Sequence, residues 1–374
     1  MTTPRVGLVM IVKNEEAVLE RALRSALPFI STYVIVDTGS TDSTKEIVRR
    51  VLADVSGLLV DRPWTNFGAG RSEALALCDS HMDWAIMLDA DDNLEGQVPP
   101  SDLWTQSTSM DQVDGFAMRI QHGSIWHQRV QIFRTGRGWC YDGVVHESPR
   151  CGRPMDGTSP KIAMLPPQTY MVTRCEGARS RDPLKYAKDA ALLEQELALK
   201  PTDSRTLFYL AQSYRDAGQK EKAAAAYKQF LDLSGTWIQE QYMAIVNLLG
   251  LIADEEEKIR LTWKAIDLCP DRAEAPFTLL RDRRTASLPI TQQMYAIATA
   301  VSNRTPASTL LFMNPTIYQW GLDDELAVVA FATKHYKEAY DASVRCILGA
   351  EHPTLRENAI KNAKAASAAL NASR

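Results

Sequence analysis

The sequence has no Cys-X-X-Cys pair. Its six cysteines, Cys78, Cys140, Cys151, Cys175, Cys269 and Cys346, are scattered over 374 residues. A chain of this length can bury a core without covalent staples, so the spacing excludes a disulfide scaffold and points to free thiols in a reducing, cytoplasmic setting. Long apolar runs are also missing. The apolar run within residues 1–16, MTTPRVGLVMIVKNEE, is too short to cross a bilayer and has no small-residue cleavage site behind it, so neither a membrane anchor nor a secretion signal is expected. No excess of one charge is present either: 42 Lys and Arg stand against 46 Asp and Glu, a net charge of −4. A bulk electrostatic grip on nucleic acid is therefore not indicated. Nor is there a Gly-rich phosphate loop of the Walker type, which counts against a nucleotidyl- or phosphotransferase built on one.

What is present is an ordinary globular composition, 45% hydrophobic and 24% charged, in a chain long enough for two domains. Charge is unevenly placed along it. Residues 72–114 hold ten Asp or Glu and no Lys or Arg, whereas residues 115–161 hold seven Lys or Arg against three acids. Most of these charges read singly as solvated faces, but neighbouring segments of opposite sign could jointly hold a metal and a phosphate.

The first half alternates strand and helix signals. VGLVMIV (6–12) is a continuous apolar, β-branched run of strand length, as expected of a strand covered on both faces. Leu19, Ala22, Leu23 and Ala26 then recur at helical spacing behind Glu15 and Glu16, and Pro28 closes the helix. YVIV (33–36) runs into DTGSTDST, where Gly39 supplies a turn and Asp42 or Ser43 a cap for the helix STKEIVRRVLADV. GLLV (57–60), the helix GRSEALALCDS (70–80) and the strand WAIML (84–88) follow. Such alternation with short loops predicts an α/β domain with a mostly parallel, doubly wound sheet, whose ligands sit at the carboxyl ends of the strands. Asn14, Asp37, Asp61 and Asp89 all fall there. After Asp114 the pieces GFAMRI, RVQIF, VVH and TYMVT predict an antiparallel extension of that sheet.

From about residue 184 helices take over. Leu210, Ala211, Tyr214, Gly218, Ala223, Tyr227 and Phe230 occur in the order of a tetratricopeptide helix pair, which residues 206–235 closely resemble. Helix-ending marks at Pro201, Gly235, Pro270, Pro306 and Pro353 step by 34, 35, 36 and 47 residues, the last step implying an insertion around FMNPTIYQWGLDDE. A plain helical bundle is the competing reading. We expect domains at 1–178 and 179–374, the second an all-α repeat whose concave surface suits a peptide or partner.

AIMLDADDNLEG (85–96) crowds Asp89, Asp91, Asp92 and Glu95 at the end of a buried strand, where like charges repel unless water or a cation intervenes. Two carboxylates there supply hard oxygen ligands to Mg²⁺ or Mn²⁺ and leave positions for phosphate oxygens, although a solvated Asp-rich turn would look the same. MIVKNEEAVLERALRSALPFISTYVIVDTGSTDST, WTNFGAGRSEAL and MLDADD, in that order and spacing, resemble the inverting family 2 glycosyltransferases of GT-A fold, more narrowly the bacterial and phage branch joined to tetratricopeptide repeats.

The resemblance implies roles. Asp37 of VDTGS would hydrogen-bond the nucleobase, uracil, whose imide N–H a carboxylate can accept. Asn14 joins it in donor binding, while Thr38 stands where relatives often carry a second acid and Asp42 suits a helix cap better than a ligand. Arg71 would face the diphosphate, which a guanidinium fork suits, but on its own it reads equally as a surface arginine paired to an acid. Asp89 would contact the ribose and Asp91 the metal, with Asp92 where relatives often carry Glu. GWCYDGVVHESP (138–149) resembles a late segment of the same branch; its His146 would be the third metal ligand or a structural histidine, and Glu147 or Asp142 the general base. Arg129 and Arg134 could face phosphate or balance the acidic stretch. Trp64, Trp126 and Trp139 stack on ligands or fill core.

The implied activity is a metal-dependent transfer of a sugar, with inversion, from a nucleoside diphosphate donor to an acceptor nucleophile. The repeats favour a peptide or protein acceptor. A glycan, or nucleic acid in the form of modified phage DNA bases, is the less favoured alternative, as is an inactive binding scaffold. The repeats also leave room for self-association, and no membrane partner is expected.

Overall fold

Val6–Val12 forms β1, and its residues alternate between two cores, which is why the apolar run is continuous. Leu8, Met10 and Val12 face one cluster with Leu19, Ala22, Leu23 and Ile47, while Val9 and Ile11 face a second with Ala74, Leu75 and Cys78. The computed structural model describes residues 4–106, 113–123, 125–154, 157, 159–302 and 311–373. They divide into two units, Met1–Glu196 and Leu197–Arg374.

In the first unit β1 is followed by α1 (Leu19–Ala26), β2 (Thr32–Asp37), α2 (Thr44–Val51), β3 (Ser56–Asp61), α3 (Phe67–Ala76) and β4 (Trp84–Met87). The strands order β3-β2-β1-β4 with every pairing parallel. α1 and α2 supply residues to one core and α3 to the other, so the sheet is doubly wound as expected. An eight-residue helix such as α1 is marginal alone, and four buried apolar side chains hold it. Ser43 precedes α2 without a side-chain cap, whereas the Asp42 carboxylate accepts the Thr44 and Glu16 N–H groups.

The extension comprises β5 (Asn93–Gly96), α4 (Ser101–Gln106), β6 (Gly115–His122), β7 (Ile125–Arg134), β8 (Trp139–Asp142), β9 (Ser148–Cys151), β10 (Ile162–Met164) and β11 (Thr169–Thr173). β7 joins β4 antiparallel and the order continues β6-β11-β5; β10 pairs with β6. The extension is mixed, because β6 pairs parallel with both β10 and β11. VVH is not a strand: residues 143–146 bend between β8 and β9, which form a separate ribbon. Gly143 at φ 102° and His146 at φ 55° turn the chain there, and a Cβ on Gly68 would meet the Gly143 carbonyl at 2.1 Å, so only glycine lets α3 approach this bend.

The second unit is helical among the described residues, following α5 (Lys185–Leu199), which spans the point of division. The paired helices are α6 (Ser204–Asp216) with α7 (Lys220–Asp232), α8 (Ile238–Leu249) with α9 (Glu255–Leu268), α10 (Glu274–Thr285) with α11 (Gln292–Ala300) and α12 (Leu322–Ala332) with α13 (Tyr336–Gly349), before α14 (Pro353–Ala372). In the first pair Gly218 turns at φ 75° and Phe208 packs on Phe230 and Tyr227 at 5.4 and 6.2 Å, all buried. Two expected marks read differently. Pro353 opens α14 at its first turn, where its missing N–H costs nothing, and FMNPTIYQWGLDDE contains a π-helical turn, Ile317–Gly321, that runs directly into α12. Pro306 lies outside the described residues.

Candidate functional site at the strand ends

Parallel strands end together, and their carboxyl ends gather the polar residues. Asn14, two residues past β1, adopts φ 56°; its Oδ1 accepts the Thr41 N–H at 2.8 Å and its own N–H donates to Ser40 Oγ at 3.0 Å. Asp37 closes β2 with no exposed surface. Its Oδ1 accepts the N–H groups of Gly39 and Ser40 at 2.9 and 2.8 Å, and its buried Oδ2 has no hydrogen-bond partner among the described residues. Asp61, at the end of β3, is exposed and pairs with Lys45.

The acidic crowd after β4 is resolved by a guanidinium and a proton. Arg71, on α3, places Nη2 2.5 Å from Asp89 Oδ1 and Nε 2.7 Å from Glu147 Oε1, with only 12% of its side chain exposed. Burial works against charge on both partners, but the opposite charges win: Arg71 is held firmly protonated by Asp89 and Glu147, and Asp89 is held below the ordinary carboxylate range by Arg71 and Arg129. Asp92 goes the other way. It is 2% exposed, its Oδ1 has no hydrogen-bond partner among the described residues, and burial, with Asp89 and Asp91 close by, pushes its carboxyl up to about 8. Asp91 accepts the Gly177 N–H on Oδ2 at 2.9 Å; nearby Glu15 accepts the Ala178 N–H and is raised, first by burial and also by Asp91. Glu95 sits apart on β5, beside Asn93.

The structure thus brings Arg71, Asp89 and Glu147 into one bridge, and it gives Arg71 two carboxylates where the sequence suggested a diphosphate or a single surface acid. Residues 71 and 147 are joined because the bend before Glu147 is pinned to α3, the Phe67 N–H donating to the Val144 carbonyl. His146 and Asp142 are both exposed, one in the bend and one at the end of β8. Among the described residues no three His, Cys, Asp or Glu side chains are arranged to hold a metal ion.

A cavity of about 520 Å³ opens beside Asn14 and Thr38 at the ends of β1 and β2, walled by Trp64 and Phe67. Lys13, Arg179, Lys185 and Lys188 line it together with Glu15, Asp182 and Asp189. Arg179 stacks over the Phe67 ring at 4.2 Å and donates to both Asp189 oxygens at 2.6 Å. This cationic wall was not anticipated; its signal is ARSRDPLKYAK, four basic residues within 179–188, which the change from strand to helix signals obscured. The two arginines left open lie toward opposite ends of β7: Arg129 acts on Asp89 and Asp92, while Arg134 lies over Trp84 at the far end of β4. Trp139 is core and donates to the Asp114 carbonyl, whereas Trp64 and Trp126 remain 37% and 41% exposed.

A doubly wound sheet with an extension, ligand-type residues at its carboxyl ends, and a separate array of paired helices define the GT-A-like class with tetratricopeptide-like helices. Residues 8–103 match the sequence model of the glycosyl transferase family 2, so the chain carries a family 2 glycosyl transferase domain. It is 30% identical over 151 residues to a TPR repeat-containing protein of Synechococcus elongatus, covering 38% of this chain and 35% of that one. It is 32% identical over 98 residues to an uncharacterized glycosyltransferase of Rickettsia bellii, 26% and 31% of the two chains, and 22% identical over 268 residues to the SPbeta prophage-derived glycosyltransferase SunS of Bacillus subtilis, 70% and 61%. The matches span about a third of the length of the first two relatives. All six cysteines are free, and no described helix is long and apolar enough to cross a membrane.

Proposed function

We propose that the N-terminal unit transfers a sugar, with inversion, from a uridine diphosphate type donor to an acceptor nucleophile on a peptide or protein. The observation that carries this reading is Asp37: a fully buried carboxylate at the end of β2 whose Oδ2 has no donor among the described residues, one residue from the cavity wall at Thr38. A buried acceptor without a partner is costly, and the imide N–H of a pyrimidine supplies the missing donor. Lys13 and Lys185 on the same cavity suit the charge of a diphosphate, while Lys188 there is paired with Asp182.

The metal reading is tested by the donor set. Mg²⁺ or Mn²⁺ held mainly by a diphosphate and water needs only one or two protein carboxylates, and Asp91 with one oxygen on Gly177 meets that requirement without a third protein ligand. When bound there, such an ion would neutralise charge developing on the leaving diphosphate. Asp91 would hold it, and Asp89, kept ionised by Arg71, would orient the ribose. Glu147 is our general base; Arg71 occupies its Oε1, so Oε2 is the atom that takes the acceptor proton, with Asp142 the second candidate. Arg71 thereby positions the base and does not clamp phosphate. The repeat-like helices of the second unit support a peptide or protein acceptor.

The test is release of uridine diphosphate from a panel of nucleoside diphosphate sugars with Mn²⁺, followed by intact-mass analysis of acceptors with the best donor. No release from any donor would leave a binding scaffold as the better account, and a mass shift confined to a glycan or to DNA would overturn the acceptor.

A further inference from the structure

β6 and β7 pair antiparallel as a hairpin, and the sequence of residues 115–134, GFAMRIQHGSIWHQRVQIFR, holds three Arg and two His but no Asp or Glu. Met118 and Ile120 alternate into the core, which leaves the other face of the strands open. Cross-strand partners share a face, so Arg119 with Gln128 and Gln121 with Trp126 lie together there, and Tyr170 on β11 stands beside Arg119. The Arg119 guanidinium lies 4.3 Å over the Trp126 ring, and Tyr170 meets that ring edge-on at 5.4 Å. Gln128 and Trp126 are exposed, and Arg119 is partly open to solvent. Arg119 has no carboxylate partner among the described residues.

A guanidinium stacked on an indole uses its face and keeps its N–H edge for an oxygen acceptor. With no acid in the hairpin to take that edge, a carboxylate from another molecule is the complementary group. The place of the hairpin fits the reaction. β4 runs with β1, β7 against β4 and β6 against β7, so the hairpin turn lies at the sheet end that carries Asn14, Asp37 and Asp89. In the strand order the hairpin stands on the other side of β4 from β1 and β2, where the donor cavity opens. Inversion brings the acceptor in opposite the leaving group, and this is the side away from the donor cavity. Arg129, whose charge acts on Asp89, stands three residues along β7 from Trp126, a step of about 10 Å at strand rise. Resting on the peptide-acceptor reading, we propose that this face reads an acidic side chain of the acceptor, roughly three to five residues from the modified one, through Arg119 backed by Trp126.

The test uses the full chain and fluorescein-labelled undecapeptides with a central Ser, Thr or Cys and one Glu at each flanking position in turn, against Gln counterparts, read by anisotropy. Glu at the outer positions should bind roughly tenfold tighter than Gln, a preference that Arg119→Gln removes and Trp126→Ala weakens severalfold. Both positions are open to solvent, so the two variants should melt with the parent chain, and either one alone carries the test. Absence of saturable binding at millimolar peptide, equal affinity for the Glu and Gln series, or a preference that survives Arg119→Gln would overturn the proposal. So would a single-stranded DNA oligonucleotide that displaces the peptide more strongly than unlabelled peptide does. Uridine diphosphate is titrated in parallel. A parent chain that shows the Glu preference but binds no nucleotide would fail the donor reading and uphold this one, and a chain that binds the nucleotide without the preference would overturn this one alone.

Discussion

In the helical unit Arg272, with no exposed surface, donates to Glu274 and to Gln239 and lies over the Tyr242 ring at 4.4 Å, and buried Glu325 has the Arg284 guanidinium 2.9 Å away. In the sheet unit Asp92 is just as buried but faces two other carboxylates, and Asp37 keeps an oxygen with no donor among the described residues. Both units bury charge. The helical one sets a guanidinium beside each of these carboxylates, although Glu274 Oε1 and both Glu325 oxygens accept no hydrogen bond among the described residues, whereas Asp37, at a strand end where ligands of such sheets bind, has no ion pair among the described residues. The contrast teaches that a buried charge marks a site when its counterpart is missing, not merely because it is buried.

Substitutions can break this contrast. The largest effect is expected from Asp91→Ala: donor turnover should fall by roughly a thousandfold or more, given the several kcal/mol that a metal contributes to a charged transition state, while the melting temperature barely moves. Full turnover in that variant, or in the presence of EDTA, would remove the metal from the reading. Next is Arg272→Ala, which strands Glu274 without its cation and should cost about 3–5 kcal/mol in urea unfolding while donor binding persists. A loss under about 1 kcal/mol would show that the helical network is not what holds its unit.

Glu325 sharpens the comparison through pH. Burial outweighs Arg284 and raises its carboxyl from 4.5 to about 7, so between those values the folded state binds the extra proton and stability falls as pH rises. The decline should reach about 3 kcal/mol and flatten in Glu325→Gln, read as unfolding free energy across that range. An unchanged slope would mean that Arg284 keeps Glu325 ionised throughout. The smallest effect expected is that of Asp37→Asn, which replaces an acceptor with a donor at the base-binding oxygen: the dissociation constant for uridine diphosphate should rise about tenfold in calorimetry, with stability nearly unchanged. Equal affinity would detach Asp37 from the nucleobase.

Much of the fold was legible because it is written locally. The unbroken run of β1, the helical spacing of Leu19, Ala22, Leu23 and Ala26, and the order of small and aromatic residues over 206–235 each depend on near neighbours. VVH misled for the same reason: two β-branched residues look like a strand, and only Gly143, His146 and the contact with Gly68 show that the chain turns. The site was half legible. Asn14, Asp37, Asp89 and Asp91 could be placed by their positions at strand ends, but the partners of Arg71 lie 18 and 76 residues away, beyond any periodicity. The cationic wall at 179–188 escaped because its sequence looks like the start of a helix.

The sequence by itself therefore determined the alternation of elements, the carboxylates at the strand ends and the helical repeat, since these follow from side-chain spacing against fixed backbone periods. Only the tertiary structure decided which of those carboxylates is ionised, which carries a proton and which is bridged by Arg71, because protonation depends on burial and on charges that folding brings together from distant parts of the chain.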